Sequence, residues 1–414
     1  MISVDSISNL PENNFTITRV LIRGLAKYAE VGANVAQMDI YESLEGLVTG
    51  RVYLLDVVGI IDILNMTSEE GIDIQFASKK GNLFHREWRK SYRITNYYKT
   101  TSPTGRTDAV CIEFCNQADI ENNAKKKSQT YRDKSTSEVI ESILSDFNSI
   151  DMSKVDIEPT LYQRTFTAAV QRPFSVIRRM LDNSASKLTR SCQFYFYEDR
   201  DGIKTRSLGN LKQNQTPEYT LQQEAGSVKA YTNGEVKNIP AKRITLVRGV
   251  DASQRDRYGC RTITHSLINK TIITQDMTED KLYRDNPMLN SEDLVREPDI
   301  VAADRPFNSV MILPGDGYYR DGTKLPQGHI QSVSHMERAR IDRRVVNAQI
   351  PGNTDLTVGN LVNLKMVSIE NESSNNLSGV YIISKIHHII TTTRYVMDLE
   401  LITDSKQKER GVQS

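Results

Sequence analysis

The chain has 414 residues, a length beyond which a single core rarely keeps growing, so roughly two to four domains are expected. Lys+Arg 53 against Asp+Glu 52 leaves almost no net charge, which excludes the strong basic excess of a dedicated nucleic-acid binder. No stretch approaches the ~18 consecutive apolar residues of a membrane span, and Met1-Ile-Ser-Val-Asp has neither the basic flank nor the apolar run of a signal peptide. The expected compartment is the cytosol, or a particle that leaves it.

The elements begin as strands. Phe15-Thr-Ile-Thr-Arg-Val-Leu-Ile alternates loosely, and Val35-Ala-Gln-Met-Asp-Ile-Tyr-Glu-Ser-Leu runs towards Gly46. Arg51-Val-Tyr-Leu-Leu-Asp-Val-Val is more continuously apolar, which places it deeper. Ile72-Asp-Ile-Gln-Phe-Ala, Tyr92-Arg-Ile-Thr-Asn-Tyr-Tyr and Ala109-Val-Cys-Ile-Glu-Phe follow, parted by turn-rich loops. Short strands without intervening helices predict a small antiparallel β-barrel over 1–124.

The texture changes near Asn122. The run Lys125-Lys126-Lys127 reads as a solvated connector. Ser135 with Glu138 three residues on forms a capping box, and Val139, Ile140, Ile143, Leu144 and Phe147 then make one apolar helical face. A second helix starts near Pro173, a favoured first-turn residue, and carries Phe174, Ile177, Met180 and Leu181. Cys192-Gln-Phe-Tyr-Phe-Tyr turns at Asp201-Gly202 into Ile203-Lys-Thr-Arg. Residues 125–212 are therefore expected to form an α/β domain.

Strands return after Pro217: Ser227-Val-Lys-Ala-Tyr, an Asn233-Gly234 turn, and Arg243-Ile-Thr-Leu-Val-Arg. Irregular, Asp/Asn/Pro/Gly-rich sequence follows, which predicts an insertion domain over 251–336. A helix around Ser332–Arg344 and three closing strands complete the chain, with a polar tail at 405–414. Those strands echo the first domain. Gly71…Tyr92…Val110-Cys-Ile-Glu-Phe matches Gly359…Tyr381…Val396-Met-Asp-Leu-Glu-Leu, with Gly-to-Tyr intervals agreeing within one residue (92 − 71 against 381 − 359). The predicted fold is mainly β with α+β additions: two related antiparallel β-barrels, the second built from 213–250 and 337–404.

Motifs that would carry chemistry fail on inspection. Pro314-Gly-Asp-Gly-Tyr-Tyr-Arg-Asp-Gly-Thr-Lys has a phosphate-loop spacing at Gly317 and Gly322, but Thr323-Lys324 reverses the required pair and Pro326 denies the helix. Asp199-Arg-Asp201-Gly202 brings its glycine too early for a calcium loop and has Asn210 where Glu is needed, so it reads as a hairpin turn. Cys111 and Cys115 share a strand face with no His nearby, and Cys192 and Cys260 are isolated; all four are expected as buried free thiols. His387 and His388 are strand neighbours whose rings face opposite ways, and His329 and His335 are six apart at the start of the last helix. Trp88, Tyr97, Tyr98, Tyr195 and Tyr197 are expected in core or subunit contacts. No catalytic, cofactor-binding or metal-binding residue is assigned, no cofactor is expected, and the chain reads as a non-enzyme. Two rival readings are a peptidoglycan-cleaving enzyme and a carbohydrate- or receptor-binding module.

The order of elements resembles a family: the central baseplate hub subunit of T-even-like contractile-tailed phages, related to the hub part of type VI secretion spike proteins. The residues that carry the resemblance are Met38-Asp-Ile-Tyr-Glu-Ser-Leu-Glu-Gly, Tyr92…Glu113 running into a capped helix, and Arg164-Thr-Phe-Thr…Pro173-Phe-Ser-Val-Ile-Arg-Arg-Met-Leu before Phe194-Tyr-Phe-Tyr. They also include Ile263-Thr-His-Ser-Leu, Pro351-Gly-Asn-Thr-Asp-Leu-Thr-Val-Gly and Ser378-Gly-Val-Tyr-Ile-Ile-Ser-Lys-Ile-His-His. The resemblance implies a homotrimer with pseudo-sixfold symmetry in the virion baseplate, assembled in the host cytoplasm. It implies a hexameric tail tube protein above, a trimeric spike protein below, other baseplate proteins around it, and a lumen for DNA. It assigns no residue to any of these contacts.

Overall fold

Period-2 alternation in the first third is met by strands β1 (Phe15–Arg23), β2 (Tyr28–Glu30), β3 (Val35–Ser43) and β4 (Thr49–Asp56). After the short helix α1 (Ile60–Leu64) come β5 (Gly71–Lys80), β6 (Leu83–Phe84), β7 (Trp88–Thr101) and β8 (Asp108–Cys115). They lie side by side in the order β1-β5-β7-β8-β4-β3, antiparallel throughout. These observations come from a computed structural model, which describes residues 15–24, 27–56, 59–67, 69–80, 83–101, 108–213, 215–223, 238–249, 259–266, 270–294, 309–314, 327–366 and 377–407.

The middle of the chain mixes helices with small sheets. Helix α2 (Gln117–Ala124) is followed by β9 (Lys127–Ser135), α3 (Thr136–Leu144), β10 (Val155–Ile157), β11 (Gln163–Gln171) and α4 (Pro173–Leu181). Strands β12 (Phe194–Glu198) and β13 (Ile203–Ser207) and helix α5 (Leu208–Gln213) close it. Lys125 and Lys126 link α2 to β9, which starts at Lys127 and pairs antiparallel with β11. At the start of α3 the Glu138 amide donates to Ser135 Oγ at 3.3 Å, and the Ser135 amide donates to Glu138 Oε2 at 2.7 Å. This reciprocal cap satisfies two first-turn donors. Pro173 opens α4, and the Phe174 amide donates to Asn122 Oδ1 at 2.8 Å. The apolar faces of α3 and α4 meet in a core that also takes in Phe147 and Phe196.

The second barrel starts with β14 (Tyr219–Gln223) and β15 (Asn238–Arg248). Between it and its completion lie β16 (Gly259–Ser266), β17 (Thr271–Thr278), α6 (Glu279–Asp285), β18 (Glu292–Asp293), β19 (Ser309–Pro314) and α7 (Gln327–Ile341). Cys260, Met277, Leu282, Ile330, Val333 and Met336 gather there with Cys192 in a small third core. Strands β20 (Arg344–Pro351), β21 (Leu361–Lys365), β22 (Gly379–Thr391), β23 (Tyr395–Thr403) and β24 (Ser405–Lys406) end the described chain. The ladder β14-β21-β22-β23-β20-β15 returns to β14 and closes as a six-stranded barrel. It is antiparallel except at β14, which runs parallel to both neighbours, β15 and β21.

Three expectations change. The last helix begins at Gln327 and ends at Ile341, not at Arg344. Arg344 instead starts β20, a strand masked in the sequence by the basic run Arg338–Arg344. Four barrel strands therefore follow the helix rather than three. Ser227–Tyr231, the Asn233-Gly234 turn and the glycines at 317 and 322 lie outside the described residues.

The two barrels match in five of six strands. Strands β3, β4, β5, β7 and β8 have the same chain order, sheet order and directions as β15, β20, β21, β22 and β23. The sixth position and the closure differ: antiparallel β1 pairs with β5 and β2 but, among the described residues, not with β3, whereas parallel β14 pairs with both β21 and β15 and closes its barrel. Tyr92 corresponds to Tyr381 and Ile94 to Ile383, each pair followed by a bulge, before Asn96 and before Lys385. The Ile94 amide donates to Glu70 O at 2.9 Å, and the Ile383 amide to Asn360 O at 3.0 Å. A shared bulge is a stronger sign of common architecture than alternation, because a bulge is a local departure from the ladder.

Candidate functional site at the junction of the barrels

The barrels meet through strand pairing. β3 pairs antiparallel with β22 from Ser43↔Lys385 to Gln37↔Thr391, so one sheet passes from the first barrel into the second. On the inner side His388 is fully buried: one ring nitrogen, Nε2, lies 2.7 Å from Glu42 Oε1, and Nδ1 lies 2.8 Å from Tyr395 Oη. Thr357 Oγ1 donates to Glu42 Oε2 at 2.7 Å, so both carboxylate oxygens are used. Trp88 lies 5.3 Å from the His388 ring and 5.8 Å from Phe76, and Phe76 meets Tyr395 edge-on at 5.7 Å. On the outer side Tyr41 stacks on His387 at 4.4 Å, and His387 Nε2 lies 3.2 Å from Asp39. The two histidines thus face opposite ways and serve the junction separately.

The loop after β20 adds a second seam. Asp355 lies 2.6 Å from His85 Nδ1 and accepts from the Arg86 amide at 2.8 Å and from Tyr219 Oη at 2.9 Å. Burial opposes ionisation there, but these hydrogen bonds win and hold the carboxyl far below the usual range. The other units dock through buried acids as well. Glu198 accepts from Lys90 at 2.8 Å, from the Val48 amide at 3.1 Å and from Asn116 at 2.7 Å. Lys212 pairs with Asp404 at 2.6 Å, both side chains almost wholly enclosed. Glu337 of α7 accepts from Ser191 Oγ at 3.0 Å and from the amides of Cys192 and Gln193 at 2.9 and 2.8 Å.

Burial outweighs those three bonds and pushes the Glu337 carboxyl up to about 7. A folded pKa above the unfolded value means that the native state holds the proton more tightly. The contribution is full below the ordinary carboxylate range and is lost as pH rises through about 7. Glu337→Gln should therefore flatten the pH dependence of unfolding between pH 5 and 8 (about these limits, from the linkage relation) and raise the melting temperature at the alkaline end. Thermal melts of both proteins across that window check it.

The motifs singled out in the sequence are structural where they are described. Asp199 Oδ1 accepts from the amides of Asp201 and Gly202, closing the β12–β13 hairpin. Cys111, Cys192 and Cys260 are buried and outside any disulfide, and Cys115 is partly covered, with burial pushing its thiol up to about 12. Trp88, Tyr195 and Tyr197 lie in the main core, and Tyr97 donates to Met66 O at 2.8 Å. Tyr98 alone of this set is exposed. Among the described residues no group of three His, Cys, Asp or Glu could hold a metal. Sequence reading passed over Glu42, Glu198 and Glu337; a lone Glu at an inward position of an apolar strand or helix was the available signal.

The chain is 32% identical over 406 residues to "Probable baseplate hub protein gp334" of Vibrio phage KVP40, covering 95% of this chain and 96% of that protein. The chain belongs to the baseplate hub proteins. No family model matches it. Solved structures agree on the fold. A tail protein from Neisseria meningitidis MC58 superposes with a TM-score of 0.59 at 8% identity, covering 94% of this chain and 97% of that one. The 43 kDa tail protein of prophage MuSo2 from Shewanella oneidensis gives 0.54 at 9%, with coverages of 94% and 99%. A type VI secretion component of E. coli gives 0.52 at 10%, with coverages of 94% and 77%. This hub protein is a structural part of a phage tail baseplate, located in the virion. Among the described residues no helix is long and apolar enough to cross a membrane.

Proposed function

We propose that three copies of this hub form a ring whose six barrels imitate a hexamer. The ring would join a hexameric tail tube to a trimeric central spike and bind surrounding baseplate proteins. The observation that carries this reading is the matched pair of barrels: five strands agree in order and direction. Sixfold and threefold partners cannot share identical contacts, and two alike barrels per chain supply six near-equivalent docking sites. The unlike additions, 125–212 after the first barrel and 251–336 within the second, would reduce the opposite face to threefold. The boundaries 1–124 and 213–250 with 337–404 belong to the same proposal, as does internal duplication; the polar tail expected over 405–414 is corrected at its start, where Ser405–Lys406 form β24 and pair with β18.

A lumen for DNA should be lined by small, polar or acidic strand residues, since phosphate contacts would retard passage. The hub is proposed to be neither an enzyme nor a cofactor protein. Supporting this, the buried acids Glu42, Glu198 and Glu337 are each engaged in hydrogen bonds that hold units together. Cell-wall turbidity and glycan-binding screens are expected to be negative. Native mass measurement with tube or spike protein present should give a trimer of this chain that persists at about 0.5 M salt, where exposed ion pairs are screened. A stable monomer or a closed hexamer of this chain would overturn the ring.

A further inference from the structure

A cleft of about 420 Å³ runs between the first barrel and the α/β unit, and a single chain supplies both of its walls. One wall is the outer face of β1, β5 and β7; the other is the segment 149–155 with the β12–β13 hairpin. The second wall is drawn in tightly at Gly202, where a Cβ would collide with the Lys154 carbonyl. The acids on the cleft are already satisfied. Asp73 is held by Arg23 at 2.8 Å, and Glu198 by Lys90, Asn116 and the Val48 amide. Asp151 accepts from the Ser153 amide and hydroxyl at 3.1 and 2.7 Å.

Cations are left over. Arg89 is exposed on the cleft and, among the described residues, has neither a hydrogen bond nor an ion pair. Arg19 meets Glu30 only through Nε, at 3.5 Å, and its two terminal nitrogens are unused among the described residues. Lys154 stands 3.8 Å from Asp151, with both side chains more than half exposed. Arg19 and Arg89 each lie opposite Gln75, one on either side of β5. Opposed residues of neighbouring strands share a face, and two strand spacings set this pair about 9–10 Å apart. Gln75 between them is engaged elsewhere, donating to Glu87 at 2.7 Å.

We propose that this cleft seats an acidic segment of a neighbouring baseplate protein, with one carboxylate on Arg19 and a second on Arg89. The inference rests on the reading that the hub binds surrounding baseplate proteins, and it deepens that reading by naming a site and a chemistry. A guanidinium takes a carboxylate through two parallel N–H···O bonds, so two such pairs fix the position and the direction of the segment. A small free acid is too short to occupy both arginines fully. A nucleic-acid strand would bring its evenly repeated phosphates against Asp73, Asp151 and Glu198. A polyproline-type segment repeats its faces every three residues, about 9 Å, which matches the spacing of the arginines. The segment that fits is therefore extended, with acids three positions apart.

The test is calorimetric titration of the full chain with acetyl-Glu-Pro-Pro-Glu-amide. Its isomer acetyl-Glu-Glu-Pro-Pro-amide should bind about tenfold more weakly, because it loses one charge-assisted pair, and acetyl-Gln-Pro-Pro-Gln-amide should not bind. Arg89→Glu and Arg19→Glu should each weaken the first peptide by about tenfold or more. Arg89→Glu should leave the melting temperature unchanged, since the arginine gives up no contact. Lys187→Glu, at an exposed cation outside the cleft, should change binding by less than about twofold. Equal affinity for the two isomers would overturn the site, as would equal losses from Lys187→Glu and Arg89→Glu. Citrate or a thymidine tetranucleotide binding more tightly than the peptide would overturn the acidic segment as occupant. Both walls belong to one chain, so the outcome is separable from the ring. A trimer by native mass that binds none of the peptides would overturn this site and leave the ring standing, and a monomer that binds as expected would do the reverse.

Discussion

Glu42→Ala is expected to lower the stability of the hub by about 3–5 kcal/mol, the usual cost of removing one partner from a buried, hydrogen-bonded pair. Glu42 and His388 are both wholly buried and 2.7 Å apart, and the alanine would leave a His388 ring nitrogen and the Thr357 hydroxyl without their acceptor. Repacking cannot easily compensate, because the site is enclosed by Phe76, Trp88 and Tyr395. Glu42→Gln keeps the shape and one acceptor oxygen and should lose less than half as much. Urea denaturation of the three proteins checks the order; an unchanged midpoint for Glu42→Ala would show that the network is not what holds the barrels together. Trp88 is the only tryptophan in the chain, so its emission gives a local readout. A red shift before global unfolding in Glu42→Ala is expected, since Trp88 packs against His388 at 5.3 Å.

Trp88→Ala should cost a similar amount, about 3–5 kcal/mol, by a different mechanism: lost burial plus a cavity that the neighbours cannot close. Trp88 is 1% exposed, and Phe76 and His388 pack against it. Phe76 is held in turn by Tyr395 at 5.7 Å, which keeps it from sliding into the space. Trp88→Phe should recover more than half of the loss. Because Trp88 and Glu42 both contact His388, the double variant Glu42→Ala/Trp88→Ala should be less destabilised than the sum of the two singles. Additivity within about 0.3 kcal/mol would show two independent sites. Circular dichroism melts measure both effects.

Much of the architecture was legible because it is local. The Ser135–Glu138 cap, Pro173 at a helix start and the Asp201-Gly202 turn each depend on neighbours within a few residues, and each stands where the spacing put it. The echo of Tyr92 in Tyr381 stands as two three-stranded meanders, but the register matches Gly71 to Leu361 rather than Gly359, since Gly71 pairs with Arg93 and Leu361 with Ile382. β20 was not legible, since its first residue, Arg344, closes a basic run that read as the end of a helix, although Arg344 itself is buried. Nor was the direction of β14: a five-residue strand of mixed polarity carries no mark of a parallel neighbour.

Sequence alone determined the fold class, the repeat, the capped helices and the family resemblance, all of which rest on short-range patterns or on their order. Only the tertiary structure decided which edges meet. Alternation states which face of a strand is buried but is silent about the strand beside it, because backbone hydrogen bonds are the same for every residue type. Glu42 and His388 therefore looked like an unremarked acid and one of two adjacent histidines until pairing of β3 with β22 set them 2.7 Å apart across 346 residues of chain.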